Sequence, residues 1–182
     1  MCLGVTGHRF LAEVEKLRAA VERALDEAAA AFPDRKLVVI SPLAEGADRL
    51  VAQAGLARGA GLIVPMPLPV ADYLTAFETE ASKQEFRALL AEAAEAIDPP
   101  ETETRNEAYE RVGQYVLDQA DVMIAIWDGQ PSQGEGGTAE IVEQALERNM
   151  PVLHIKAGNR RPGTTEPTTL GEEQGKVVAH NL

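Results

Sequence analysis

Short apolar runs alternate along the chain with longer segments whose apolar residues recur every three or four positions. "CLGVT" (Cys2 to Thr6) is apolar throughout, which predicts a buried strand ending at Gly7. Next, Leu11, Val14, Leu17, Val21, Leu25, Ala28 and Phe32 mark one face of a long helix that Pro33 and Asp34 end. "KLVVI" (Lys36 to Ile40) predicts a second strand, and "SPLAEGADRLVAQAGLARGA" a loop opening into a helix. "GLIVP" predicts a third strand, which Pro65, Pro67 and Pro69 force into an extended exit. From Val70 to Ile97 the pattern is helical. "DPPETET" breaks it, and Thr102 or Thr104 is placed to cap a further helix running to about Gln119. A fourth strand, "DVMIAIW", a glycine-rich loop, the helix "TAEIVEQALERN" and a fifth strand, "PVLHIK", complete the periodic part.

Strands apolar on both faces, alternating with amphipathic helices, predict a parallel sheet covered on both sides. The expected fold class is therefore α/β, a Rossmann-like three-layer αβα arrangement with a parallel sheet of about five strands. Right-handed crossovers favour the order 3-2-1-4-5. The chain then reverses between strands 1 and 4, and ligands of such sheets bind where the connections after those strands diverge, at the carboxyl edge. Residues 1–157 are expected to form this domain. Residues 158–182, rich in Gly, Pro and Thr, are expected to be a loose tail, although "KVVAH" can supply a short added strand.

Composition narrows the function. Hydrophobic residues make up 45% and charged residues 25% of 182, the balance of a soluble globular domain. A formal net charge of −12 argues against non-specific binding to nucleic acid or an anionic membrane, but leaves room for a small anion held locally. Cys2 is the lone cysteine, and no basic leader precedes "CLGVTGHRF", so a cytoplasmic location is expected. His8, His154 and His180 are scattered, without metal-ligand spacing. The three-glycine nicotinamide fingerprint and the Gly-Lys-Ser/Thr phosphate loop are both missing. Neither a metal nor a cofactor is expected.

Candidate chemistry gathers in four pieces. In Thr6-Gly7-His8-Arg9, Gly7 permits a tight turn and Arg9 offers a bidentate fork for phosphate or carboxylate. In "SPLAEGAD", Ser41 ends the second strand and Gly46 lies near the free N–H groups of the next helix. Glu45 and Asp48 either favour that helix N-terminus electrostatically or act as a sugar-hydroxyl acceptor or acid/base pair; spacing leaves both open. The pairs Tyr73/Phe77 and Arg105/Tyr109 are spaced for packing, or for a lid over an aromatic base. The fourth piece is "WDGQPSQGEGGTAE", where Asp128 and Gly129 leave the fourth strand. There Gly136, Gly137 and Thr138 bring backbone N–H groups and a hydroxyl to a helix start, ready for a phosphate. Glu140, in the first turn, either accepts from ribose hydroxyls or supports the helix.

Together "GVTGHR", "ISPLAEGADRLVA" and "DVMIAIWDGQPSQGEGGTAEIVEQA", in that order, resemble the SLOG superfamily from about Leu3 to Lys156. This is the Rossmann-like group of the LOG-type phosphoribohydrolases, the DNA-processing Smf proteins and some channel nucleotide sensors. The resemblance implies a nucleotide-type ligand over the carboxyl edge, with phosphate on the glycine turn, and it implies homo-oligomers. In the phosphoribohydrolase motif, Pro-Gly-Gly-x-Gly-Thr-x-x-Glu, matching Gly-Thr to Gly137-Thr138 puts Ile141 at the acidic position. Glu140 stands one residue early, about 100° around the helix. "WDG…GGTAEIV" is also similar to nucleoside deoxyribosyltransferases. The leading expectation is a nucleotide, ADP-ribose-like or nucleotide-signal binding module, with Arg9, Gly136, Gly137 and Thr138 on phosphate and Ser41, Glu45 and Asp128 toward sugar or base. The alternative is an N-glycosidic bond hydrolase or transferase on nucleoside monophosphates, with Glu140, Glu45 or Asp48 as the catalytic carboxylate.

Overall fold

The computed structural model describes residues 1–131 and 137–182. Its strands are β1 (Cys2–Gly7), β2 (Val38–Ile40), β3 (Gly61–Pro65), β4 (Glu95–Ile97), β5 (Val122–Trp127), β6 (Val152–Lys156) and β7 (Val177–His180). Between them run α1 (Val14–Ala31), α2 (Ala47–Ala57), the short α3 (Val70–Tyr73), α4 (Glu80–Ala91), α5 (Arg105–Gln119) and α6 (Thr138–Glu147). One sheet has the order β4-β3-β2-β1-β5-β6-β7, parallel throughout except for the antiparallel β6–β7 pair. This is the mostly parallel, helix-flanked, Rossmann-like arrangement that the sequence pattern predicts. The predicted order 3-2-1-4-5 is present as β3-β2-β1-β5-β6, with a strand added at each end.

Strand alternation divides the core between the two faces. Leu3, Val5, Val39, Leu62, Val64, Ile124, Ile126, Leu153 and Ile155 face α1, α2 and α4; Ile40, Met123, Ala125 and Val152 face α5 and α6. Gly4 lies on the second face where β5 and the end of α5 leave no room for a side chain. A Cβ there would come within 2.4 Å of Met123 Sδ and 2.9 Å of Ala120 Cβ. Thr104 caps α5, its hydroxyl accepting from Glu107 N–H at 3.2 Å, which resolves the choice between the two candidate threonines.

Two expectations are corrected. The helical pattern of residues 70–97 does not run through: α3 and a 3₁₀ turn precede α4, and residues 95–97 are strand β4, paired with Ile63–Pro65. "EAAEAI" has helix-forming composition, but the open edge of β3 offers backbone partners, and tertiary pairing outweighs so small a propensity. The tail is not loose either. Its "KVVAH" segment pairs along β6, and Arg23 and Lys16 of α1 donate to the carbonyls of Gly175 and Gly171 at 2.9 and 3.0 Å. A polar composition misled here because the tail is held by backbone pairing and by one buried amide, Gln174 at 1% exposure, rather than by apolar burial. No helix among the described residues is long and apolar enough to cross a membrane.

Candidate functional site

β1 and β5 are neighbours, with Gly7 opposite Ile126, so the loops that follow them leave the sheet side by side at its carboxyl edge. The junction is hydrogen-bonded. His8 N–H donates to Ile126 O at 2.9 Å, and Asp128 N–H donates to His8 Nε2 at 3.1 Å. Accepting that bond requires the imidazole to be unprotonated on Nε2. Burial is the largest influence on His8 and holds its pKa below the usual histidine value, against the opposing pull of the Asp128 carboxylate 3.3 Å away. Asp128 Oδ1 also accepts from Gln130 N–H at 3.0 Å, which starts the turn through Gly129, at φ +78°. The other half of the glycine loop, including Gly136, falls in 132–136 and lies outside the described residues. Beyond it, Gly137 precedes the first turn of α6, and its carbonyl accepts from Glu140 N–H at 3.1 Å.

The loop after β2 meets the same edge. A Cβ on Gly46 (φ +80°) would lie 2.3 Å from Arg9 O and 2.4 Å from His8 O, and Ala47 N–H donates to His8 O at 3.1 Å. The glycine therefore serves a close approach of backbone to backbone. Ser41 is fully buried and turned inward, its hydroxyl accepting from Leu43 N–H at 3.1 Å. That bond, and Arg49 Nε on the Leu43 carbonyl at 3.0 Å, fix Leu43 in a left-handed conformation (φ +59°) that a non-glycine residue adopts only when held. Asp48 accepts from Ala44 N–H at 3.2 Å, and burial pushes its pKa up to about 7.

Arg9 and Glu45 form an ion pair at the rim, with Nε on Oε2 at 2.6 Å. Arg9 Nη2 also donates to the Ala76 carbonyl, and Glu45 Oε1 accepts from the Ser82 hydroxyl. Burial raises the Glu45 pKa, but the bonds from Ser82 and Arg9, with Arg49 nearby, outweigh it and keep the carboxyl below its usual range. Glu45 is thus a fixed anion. Glu140, with Gln144, Glu110, Arg111 and Gln114, lines a groove of about 240 Å³ between α5 and α6. Tyr73, Phe77 and Phe86 pack as a core cluster, with centroids 5.1–5.4 Å apart and exposures of 3% or less, so packing accounts for these rings. Among the described residues no group of three or more His, Cys, Asp or Glu is placed to hold a metal ion.

Neither a family model nor a curated protein matches the chain. Solved structures do. DNA processing protein A (DprA) from Streptococcus pneumoniae superposes with a TM-score of 0.53 at 17% identity, over 96% of this chain and 53% of that one. TM1055, a structural-genomics target, superposes with a TM-score of 0.50 at 18% identity, over 83% of this chain and 71% of that one. These likenesses show a shared Rossmann-like α/β fold. The chain spans about half the length of DprA. Sequence reasoning missed three residues that build the rim of this Rossmann-like domain. Arg49, at 3% exposure, donates through Nη1 to Ser82 Oγ at 2.8 Å and lies 4.5 Å from the Phe77 ring centroid. Its sequence signal was an arginine on the apolar run "ADRLVAQAG". Ser82, which links Arg49 to Glu45, carried no signal. Arg160 reaches the β1 loop from the tail, which only the tail's docking reveals.

Proposed function

We propose that the chain is a binding module for a nucleotide-type ligand at the carboxyl edge of β1 and β5, acting as a sensor or sequestering domain. The observation that carries this reading is the switch point itself. The β1 and β5 loops part there while bonded through His8 and Asp128, and α6 begins where the β5 loop returns. Gly137 and Thr138, with Gly136, are the phosphate end. Asp128, beside the Gly129 turn, is the acceptor for sugar hydroxyls. Arg9 is the cation at the rim. Ser41 and Gly46 leave the ligand set, because their polar groups and backbone are committed to the loop after β2.

The SLOG/LOG-like fold supports the position of the site, and the chain's acidic surface is compatible with a ligand held locally by backbone N–H groups. The hydrolytic alternative is not carried forward. Asp48 is sealed from solvent, and both oxygens of Glu45 are engaged, by Arg9 and Ser82. Calorimetric titration with AMP, ADP, ADP-ribose and a cyclic dinucleotide tests the reading. Saturable heat with at least one is expected, and no heat from folded protein with any of them removes it. Self-association and a cytoplasmic setting belong to the same proposal, the first read by sedimentation velocity and the second by fractionation of cells producing the protein.

A further inference from the structure

Glu13, on the turn from the β1 loop into α1, stands in the left-handed region at φ 50° and ψ 48°. A glutamate lacks the short side chain that lets asparagine settle there, so its surroundings must impose the conformation. The tail supplies those surroundings. Thr169 Oγ1 donates to Glu13 Oε2, and Lys16, 4.0 Å from the Glu13 carboxylate, donates to the Gly171 carbonyl at 3.0 Å. Gln174 Nε2 donates to Ala12 O at 3.0 Å, while its Oε1 accepts from Gly158 N–H at 2.9 Å and Leu170 N–H at 3.1 Å. Among the described residues, the hydrogen bond that reaches the backbone of residues 10–13 from outside α1 is this one, from Gln174 to Ala12.

The grip extends towards the carboxyl edge. Residues 158–169 fold back as a hairpin, with Thr168 N–H on Asn159 O at 2.7 Å and Arg161 N–H on Glu166 O at 2.8 Å. The hairpin sets the Arg160 guanidinium carbon 5.6 Å from the centroid of the Phe10 ring, and its Pro167 lines a groove together with Phe10 and Leu11. Phe10 follows His8 by two residues. The His8 ring accepts from Asp128 N–H at 3.1 Å, and the His8 carbonyl accepts from Ala47 N–H at 3.1 Å. A run of contacts therefore leads from Gln174 to the junction of the β1 and β5 loops.

β1 and α1 are fixed by the core, where Leu3, Val5, Leu17 and Val21 are buried. The turn between them takes its shape from the tail. Without the tail, Glu13 is free to return from φ +50° to the usual region near −60°, a rotation of about 110° that re-aims residues 8–12. We propose that the C-terminal segment is a strap on the candidate site. Docked, it holds the β1 loop in the form that faces the carboxyl edge; undocked, it releases the loop, so that tail docking and occupation of the edge are coupled. The coupling to a ligand rests on the nucleotide reading, and the hold on the loop stands apart from it.

The test follows amide hydrogen exchange of the full chain by NMR, for the wild type with and without ADP and for two tail variants. Gln174→Ala is expected to speed exchange about tenfold at Lys16 and Leu17, whose N–H groups donate to Glu13 O, and at Ala47, on His8 O. Asn181→Gly removes a tail bond made elsewhere, to Met150 O, and changes these three amides less than about twofold. Should Gln174→Ala fail to fold, Thr169→Val carries the same comparison. Saturating ADP is expected to slow exchange at Gly158 and Leu170 about fivefold and to leave Met150 as it was, because coupling between sites is reciprocal. Loop amides that keep the wild-type rate in Gln174→Ala, or that loosen equally in Asn181→Gly, overturn the strap. ADP that binds without slowing Gly158 and Leu170 overturns the coupling and leaves the nucleotide reading intact. A loop loosened by Gln174→Ala in a protein that binds no ADP upholds the hold on the loop and removes the nucleotide reading.

Discussion

At Gly46 the requirement for glycine is set by two carbonyl oxygens about forty residues earlier in the chain. Substitution by alanine brings a Cβ to 2.3 Å from Arg9 O at a φ of +80°, where an L side chain is strained even without the contact. Gly46→Ala is expected to cost about 3 kcal/mol of stability, read by urea denaturation, because clash and strain add. It also displaces Arg9 and so weakens anion binding in whatever protein remains folded. Asp48 supports a prediction of another kind. Its carboxyl titrates near 7 in the folded chain, against an ordinary value of 3.8. Between those values the folded form keeps a proton that the unfolded chain has lost, so this group's contribution falls as pH rises from about 4 to 7 and stays low above that. Asp48→Asn removes the dependence. Its stability relative to wild type should rise by on the order of 2–4 kcal/mol between pH 4 and pH 8, measured by denaturant melts at each pH. A flat difference would mean that the buried carboxyl is solvated after all. Both residues were visible in the sequence as candidates for ligand contact. Their actual partners, the His8 and Arg9 carbonyls and the Ala44 amide, are backbone groups, and a one-dimensional reading carries no sign of which backbone will approach which.

Elements were legible where burial writes a pattern and illegible where it does not. Five strands and their order follow from apolar runs buried on both faces, and α1 and α6 from three- and four-residue spacing. β4 lies at an edge, with Glu95 and Ala96 exposed, so no alternation marks it. β7 is likewise an edge strand, and its docking depends on polar contacts that hydropathy ignores. Gln174 is the decisive one, joining three backbone groups from two segments while 1% exposed. Gln174→Ala strands two amide donors and one carbonyl acceptor. A loss of about 2 kcal/mol is expected, together with faster hydrogen exchange at Gly158 and Leu170 while the amides of β5 stay protected. If the loss were global and exchange uniform, the tail would be part of the central cooperative unit instead of an appendage. The glycine-rich loop bears on the functional reading through its two described ends, Asp128 to Pro131 and Gly137 to Glu140.

For the whole molecule, a net charge of −12 and a proposed anionic ligand pull in opposite directions, and ionic strength separates them. The acidic surface as a whole repels a phosphate at long range, and salt screens that repulsion, which by itself makes affinity rise with salt. The backbone N–H groups at the start of α6 act at contact distance on the ligand's phosphate, and salt anions compete for them directly, which makes affinity fall. At about 0.1 M ionic strength the Debye length is roughly 10 Å, so most of the surface charge is already screened while groups in contact with the ligand are not. ADP affinity is therefore expected to decrease steadily between about 0.1 and 0.5 M sodium chloride. The same ligand at about a hundredfold its Kd should stabilise the fold by roughly 2.7 kcal/mol, since it binds only the assembled rim. Calorimetry across the salt series and thermal melts at fixed ligand excess measure the two effects independently. Affinity that rises with salt would place the ligand in the field of the acidic surface and away from the start of α6.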